Sequence, residues 1–137
     1  KEAKNYSTEV IIEKSFNGPE YTVALLKGKP LTPLQILHDP IRGFYDYEAK
    51  YNSQNTQKIK IEDESIVKRL EEISEKVFDC LNCKTWARVD FVSEGEKLAV
   101  IEINSVPGFT AKSLFPLAAK YSGIEYKELI SLIIEDC

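Results

Sequence analysis

Methionine is absent from the sequence altogether, and the chain opens Lys1-Glu2-Ala3-Lys4. A native start is therefore not expected here. The 137 residues read as a fragment or processed piece, so that any function belongs to part of something larger. Long apolar runs are also lacking. The longest candidate, residues 129–134, falls far short of the roughly 20 residues that a membrane-spanning helix needs. No signal peptide opens the chain. Lys and Arg are spread rather than clustered, and the net charge is −4. That excludes the basic surface a nucleic-acid partner would require.

Cysteine is scarce. Cys80, Cys83 and Cys137 are too few for a disulfide framework. Cys80 and Cys83 form a C-x-x-C, but a structural zinc site normally takes four ligands. Beyond Cys137 only His38 could contribute, and neither has helpful spacing. The pair reads as two thiols near a helix end, in a chain suited to a reducing cytoplasm. Repeats and low-complexity segments are missing too. With 43% apolar and 29% charged residues, the chain has the balance of one globular domain with a real core.

Strand and helix periods then divide the chain. Residues 8–16 read as a strand with Val10 and Ile12 on one face. After the Asn17-Gly18-Pro19 turn, residues 20–26 form a second strand, and residues 31–37 a third extended run. Residues 38–43 read as a loop. Residues 44–55 are polar and aromatic without a period, which suggests a functional loop. Residues 57–61 make a short strand. Residues 63–81 form the clearest helix, with Ile66, Leu70, Ile73, Val77 and Leu81 in one apolar stripe. Asp63 or Ser65 caps its start and Asn82 follows its end. Residues 85–93 and 98–104 are strands joined at Gly95. Residues 113–121 and 125–135 are helices, the last burying Leu129, Ile130 and Ile133. Without a regular βαβ rhythm, the order implies an α+β fold with a mainly antiparallel sheet.

Charge concentrates on the hairpin. Side chains alternate faces along a strand, so Arg88, Asp90 and Val92 share one face. Val100, Glu102 and Asn104 share a face of the next strand. A three-residue turn at Gly95-Glu96-Lys97 would pair Glu94 with Leu98, Asp90 with Glu102 and Arg88 with Asn104. A slip of one residue would scatter the set. Opposed carboxylates repel, so something positive belongs between them. In one reading Arg88 neutralises both in an ion-pair cluster on a solvated sheet face. In the other, two carboxylates and an amide oxygen are hard ligands for Mg²⁺, and Arg88 holds a developing negative charge.

The following loop, Asn104-Ser105-Val106-Pro107-Gly108-Phe109-Thr110, is rigid at Pro107 and open at Gly108. Its Gly108 N–H could face an oxyanion. A helix start near Ser113 with a hydroxyl cap would suit a carboxylate or phosphate.

Arg88-Val89-Asp90-Phe91 followed by Glu102-Ile103-Asn104-Ser105-Val106-Pro107-Gly108-Phe109-Thr110 resembles the C-terminal signature of D-alanine–D-alanine ligases. Gly18-Pro19-Glu20-Tyr21-Thr22-Val23 and Phe44-Tyr45-Asp46-Tyr47-Glu48-Ala49-Lys50-Tyr51 resemble the same family in the same order. The resemblance covers nearly the whole chain and implies an ATP-grasp fold. Residues 1–137 would be the C-terminal part of that domain. The family's N-terminal domain, its earlier strand lysine and its Gly/Ser-rich phosphate loop have no counterpart here.

The implied reaction is ATP-dependent joining of two D-alanines through an acylphosphate for peptidoglycan synthesis, in the cytoplasm. The intact enzyme would be a homodimer, without a nucleic-acid or membrane partner. By position, Asp90, Glu102 and Asn104 would bind two magnesium (or manganese) ions. Arg88 and the Gly108 N–H would stabilise the tetrahedral intermediate. Lys50 would contact the γ-phosphate of ATP, and Tyr51 beside it matches the dipeptide-forming enzymes. Ser113 and Leu114 would hold the acceptor D-alanine. Glu13, Lys14 and Phe16 would border the adenine, and Glu20 the ribose. Ser15 stands where some members carry an aromatic. The alternatives are an ATP-grasp carboxylate–amine ligase with another acceptor, or a non-catalytic interaction module of the same fold.

Overall fold

The computed structural model describes residues 2–37 and 56–135. After a short 3-10 turn at Glu2–Asn5 come strands β1 (Glu20–Leu26), β2 (Lys29–Pro30), β3 (Leu34–Leu37) and β4 (Gln57–Lys60). Helix α1 (Glu64–Cys80) leads to the hairpin β5 (Trp86–Glu94) and β6 (Lys97–Asn104). Helices α2 (Leu114–Tyr121) and α3 (Tyr126–Ile134) close the described chain. The sheet runs β4-β3-β1-β5-β6, with β2 paired to β1, and every pairing is antiparallel. The α+β expectation is met.

β1 is the central strand and is buried on both faces from Tyr21 to Leu26. Its alternation feeds two cores. Tyr21, Val23 and Leu25 meet Val89, Phe91 and the α1 residues Leu70 and Phe78. Ala24 and Leu26 face the other way, with Leu34, Ile36, Phe115 and Leu129 under α2 and α3. One helix covers one face. Two short helices pack on the second face, which also carries Arg88 and Asp90.

The ends of α1 follow from named side chains. Asp63 accepts from the Ser65 N–H at 2.9 Å and the Ile66 N–H at 3.4 Å, satisfying donors at the helix start. These bonds and one from the Ser65 hydroxyl, the largest effect, hold its carboxyl below the usual carboxylate range. At the other end Asn82 takes a left-handed φ of 56°. The Cys83 N–H reaches the Phe78 carbonyl at 3.0 Å and the Asn82 N–H the Asp79 carbonyl at 2.9 Å, a Schellman closure. Cys83 packs against the core at the position where that motif places an apolar contact, while Cys80 is exposed. The buried line of α1 is Leu70, Ser74 and Phe78. Leu81, expected in the stripe, lies past the last turn and is exposed.

Other expectations need correction. Residues 8–16 form no strand. Val10, Ile11 and Ile12 are exposed, and no described strand pairs with them; a strand without a partner leaves its backbone groups unpaired. Of the third extended run, residues 31–37, only Leu34–Leu37 form a strand; residues 31–33 are non-strand and follow the short β2 at Lys29–Pro30. In α3 only Leu129 is fully buried, with Ile130 and Ile133 half-buried. The loops expected at residues 38–43 and 44–55 lie outside the described residues.

Candidate functional site

β5 runs against β1 with Thr22 opposite Asp90 and Ala24 opposite Arg88. Across the hairpin Asp90 faces Glu102 and Arg88 faces Asn104. The expected set is therefore assembled on one face, but by a different route. The turn holds two residues, Gly95 and Glu96, so Glu94 pairs with Lys97 rather than Leu98. Gly95, with φ of 58°, adopts the left-handed geometry tight hairpins favour. That register alone would put Asp90 opposite Ile101. A bulge between Asp90 and Phe91 inserts one residue of β6, because Phe91 pairs with Val100 and Asp90 with Glu102. Bulges re-aim side chains. Here the bulge brings Glu102 back across from Asp90 and breaks the simple alternation expected to align Val100 with Glu102.

Asp90 is the hub. Its Oδ1 accepts from the Thr22 hydroxyl at 2.6 Å and from Arg88 Nε at 2.9 Å. Its Oδ2 accepts from Arg88 Nη2 at 2.6 Å and from Asn104 Nδ2 at 3.1 Å. Four donors match the four lone-pair sites of a carboxylate. Two guanidinium nitrogens on two oxygens make a fork, which fixes the plane of Arg88. The Asn104 amide also donates to Glu102 Oε1 at 3.2 Å, so an amide stands between the two carboxylates. Arg88 is 6% exposed, whereas Glu102 is open to solvent.

The loop after β6 is anchored from below. The Phe109 ring sits 5.2 Å from Trp86, 6.1 Å from Phe115 and 5.5 Å from Tyr126. The Tyr126 hydroxyl donates to the Phe109 carbonyl at 2.7 Å. Such aromatic contacts stabilise by about 0.5–1.5 kcal/mol each beyond burial. Ser113 corrects another expectation. Its hydroxyl does not cap α2 but accepts from the Thr110 N–H at 3.0 Å and bonds the Thr110 hydroxyl at 2.9 Å. A Cβ on Gly108 would lie 3.2 Å from that hydroxyl, close enough that the Ser113 side chain would have to shift by a few tenths of an ångström. The Leu114 side chain is buried, which leaves its backbone as the part available to a ligand.

Glu20 heads β1 on the same face as Thr22, opposite Val92. Gly18 makes that entry: a Cβ there would stand 2.0 Å from the Ser93 carbonyl oxygen. Lys14 is ion-paired with Glu94, and its Nζ lies 4.9 Å from the centre of the Phe16 ring. Lys14 and Glu20 thus share the turn end of β5, and the Asp90 hub lies further along the same strand. Glu13 is exposed in the same segment. Lys50 and Tyr51 lie outside the described residues.

Sequence reasoning missed Thr22, buried and bonded to Asp90. Its signal was present: it sits two residues after Glu20 on a strand that had to neighbour the hairpin. It also missed the aromatic anchor of Trp86, Phe109, Phe115 and Tyr126, and Lys58, whose Nζ donates to the Lys112 carbonyl at 3.0 Å.

The donor set permits a test for a divalent cation. Among the described residues no three His, Cys, Asp or Glu side chains stand together. The candidate set is two carboxylates and an amide, all hard oxygen donors of the kind Mg²⁺ or Mn²⁺ accepts alongside water and phosphate. The Asn104 amide turned by half a rotation would present its oxygen, and such turns leave its shape unchanged. Glu102 is accessible. The chemistry fits, provided Asp90 shares one oxygen now held by Arg88 or Asn104.

Residues 1–135 match the family model described as D-ala D-ala ligase C-terminus. The D-alanine–D-alanine ligase of Aquifex aeolicus is 41% identical over 126 residues, covering 91% of this chain and 43% of the relative. That of Vesicomyosocius okutanii is 42% identical over 137 residues, covering 98% and 46%. Among solved structures, the Bacillus anthracis D-alanine–D-alanine ligase complexed with ATP superposes with a TM-score of 0.77 at 30% identity, over 90% of this chain and 39% of that one. The Vibrio cholerae D-alanyl-alanine synthetase A, 23% identical with a TM-score of 0.76, shares the fold. The chain thus spans less than half the length of these relatives. With its strand order, its bulged acidic hairpin and a family match across nearly every residue, the chain belongs to the D-ala D-ala ligase C-terminus family, with the α+β architecture of the C-terminal ATP-grasp portion.

Proposed function

We propose that this chain is the C-terminal catalytic portion of an ATP-dependent ligase that joins two D-alanines for peptidoglycan synthesis in the cytoplasm. Residues 1–137 act as the C-terminal part of an ATP-grasp domain, and the whole enzyme is a homodimer. The observation that carries this reading is the bulge-aligned set of Arg88, Asp90, Glu102 and Asn104 beside the Gly108 loop.

In this reaction the γ-phosphoryl group of ATP moves to the carboxylate of the first D-alanine, giving an acylphosphate and ADP. The amine of the second attacks the acyl carbon, phosphate leaves, and the amine gives up a proton. Little of this is covalent chemistry for the protein; positioning and charge neutralisation dominate. Asp90, Glu102 and Asn104 would hold two magnesium or manganese ions, which supply charge neutralisation for the nucleotide phosphates. Arg88, its plane fixed by the Asp90 fork, faces the oxyanion that develops as the amine attacks. The Gly108 N–H serves the same oxyanion, and Ser113 and the Leu114 backbone hold the acceptor's carboxylate. Glu20 accepts from the ribose hydroxyls. Glu13, Lys14 and Phe16 border the adenine, Lys50 meets the γ-phosphate, and Tyr51 beside it matches the dipeptide-forming enzymes.

A coupled phosphate-release assay with D-alanine and ATP tests the reading in the full-length protein. Glu102→Gln is the informative variant, because Glu102 is exposed and its loss leaves the core intact. Activity should fall about a hundredfold or more, beyond the cost of losing a supporting residue. Near-normal turnover would remove Glu102 from the site. The 137-residue chain alone should show little or no turnover.

A further inference from the structure

Lys58 pairs in β4 with Ile36, which pairs in turn with Glu20, so Lys58 belongs to the face that carries the site. Its side chain does not run out to solvent. It is half-buried, and Nζ donates to the Lys112 carbonyl at 3.0 Å, at the residue before Ser113. The ammonium therefore spans from the sheet's β4 edge to the loop that carries Gly108 and Ser113. Burial chiefly, and then the charge of Arg88, lower its pKa, so the two cations feel one another across the face.

Their counter-charges differ. Arg88 is answered by the Asp90 fork. Lys58 is answered only by a neutral carbonyl, and among the described residues no carboxylate pairs with it. A carbonyl tether alone would be served by a neutral donor at lower desolvation cost. A half-buried ammonium on the same sheet face as a second cation suits an anion that arrives from outside.

We propose that Lys58 is an anion-binding residue: its ammonium and the Arg88 guanidinium together bind one oxyanion, a carboxylate or phosphoryl oxygen, between β4 and residues 105–113. Only the identity of that oxyanion rests on the ligase reading; the site itself does not. Lys58 would then set affinity for an anionic substrate group in addition to holding the loop.

Two experiments test this. In the first, the 137-residue chain is titrated with inorganic phosphate and, separately, with acetate at constant ionic strength. Side-chain NMR signals of lysine and arginine are followed. Lys58 and Arg88 should shift together and saturably. Lys58→Met, which keeps the chain length, should weaken binding about tenfold, the size of one charge-assisted hydrogen bond. Lys58→Arg should restore most of it. A parent protein with no saturable shift at Lys58, or a Lys58→Met protein binding both probes as tightly as the parent, would overturn the proposal. The first of these needs no variant to fold.

The second experiment measures Lys58→Met in the full-length enzyme. A raised KM for D-alanine with the KM for ATP unchanged assigns the carboxylate, and the reverse assigns the nucleotide phosphates. A fall in kcat with both KM values unchanged would overturn the anion role and leave a loop tether. If the parent enzyme lacks ligase activity, the proposed function fails while the titration still judges Lys58.

Discussion

Asp90→Asn should destabilise the free protein even before any substrate is considered, and its magnitude follows from the four bonds at Asp90. An asparagine of the same shape keeps an oxygen for the Thr22 hydroxyl and Arg88 Nε. Its amide nitrogen then replaces the oxygen that accepts from Arg88 Nη2 at 2.6 Å and Asn104 Nδ2 at 3.1 Å. Two donors lose this acceptor, and a guanidinium with 7% side-chain exposure loses the charge of Asp90. Breaking a fully buried pair this way costs about 3–5 kcal/mol. Asp90 keeps 16% of its side chain exposed, so solvent relieves part of that cost. An expected loss of about 2–4 kcal/mol remains. Urea unfolding of the 137-residue chain followed by circular dichroism gives the number. A cycle with Arg88→Met isolates its source. Once Arg88 is removed, Asp90→Asn should cost about 2 kcal/mol less than it does alone. A single-variant loss below about 1 kcal/mol, together with additive double-variant behaviour, would refute the claim that Asp90 is the counter-ion of Arg88.

Two further perturbations act away from the charged hub. Gly18→Ala places a methyl group 2.0 Å from the Ser93 carbonyl oxygen, a backbone atom that cannot swing aside. It should lower stability by about 2–3 kcal/mol and shift the amide resonances of Glu20 and Ser93, readable by NMR. Ser74→Ala should do the opposite. The Ser74 hydroxyl is buried beneath α1 and finds no partner among the described residues, so its removal should raise the unfolding free energy in urea by about 1 kcal/mol.

Elements whose partners were close in sequence were legible in it. The α1 boundaries follow from Asp63 as an N-cap and Asn82 past the C-terminus, both local decisions. Strands β1, β5 and β6 declared themselves through alternation and the glycine between the last two. Residues 8–16 have the same local alternation, yet they do not form a strand. Alternation states what a segment could offer a sheet; strand formation also needs a free edge in the right place. Lys58 was illegible for a related reason. Its partner is a carbonyl 54 residues away, and nothing in the short run Gln57–Lys60 specifies which loop folds over it.

The hairpin shows how one expected pairing can follow from a different local geometry. A three-residue turn and an unbroken ladder put Asp90 across from Glu102. A two-residue turn and one bulge give the same pairing, because the residue removed at the turn returns as Ile101 within β6. The two solutions differ in what they expose. The unbroken ladder would direct Val100 to the functional face and keep Ile101 on the α1 face. In the bulged strand Val100, Ile101 and Glu102 are consecutively exposed, and neither apolar residue reaches the core. Exposing two branched apolar side chains forfeits burial that strands usually secure, on the order of 1.5–3 kcal/mol for each when burial is complete. A sequence selected for stability alone would have closed the ladder. The bulge restores the Asp90–Glu102 pairing that the two-residue turn alone would have lost, and Glu102 stays open to solvent.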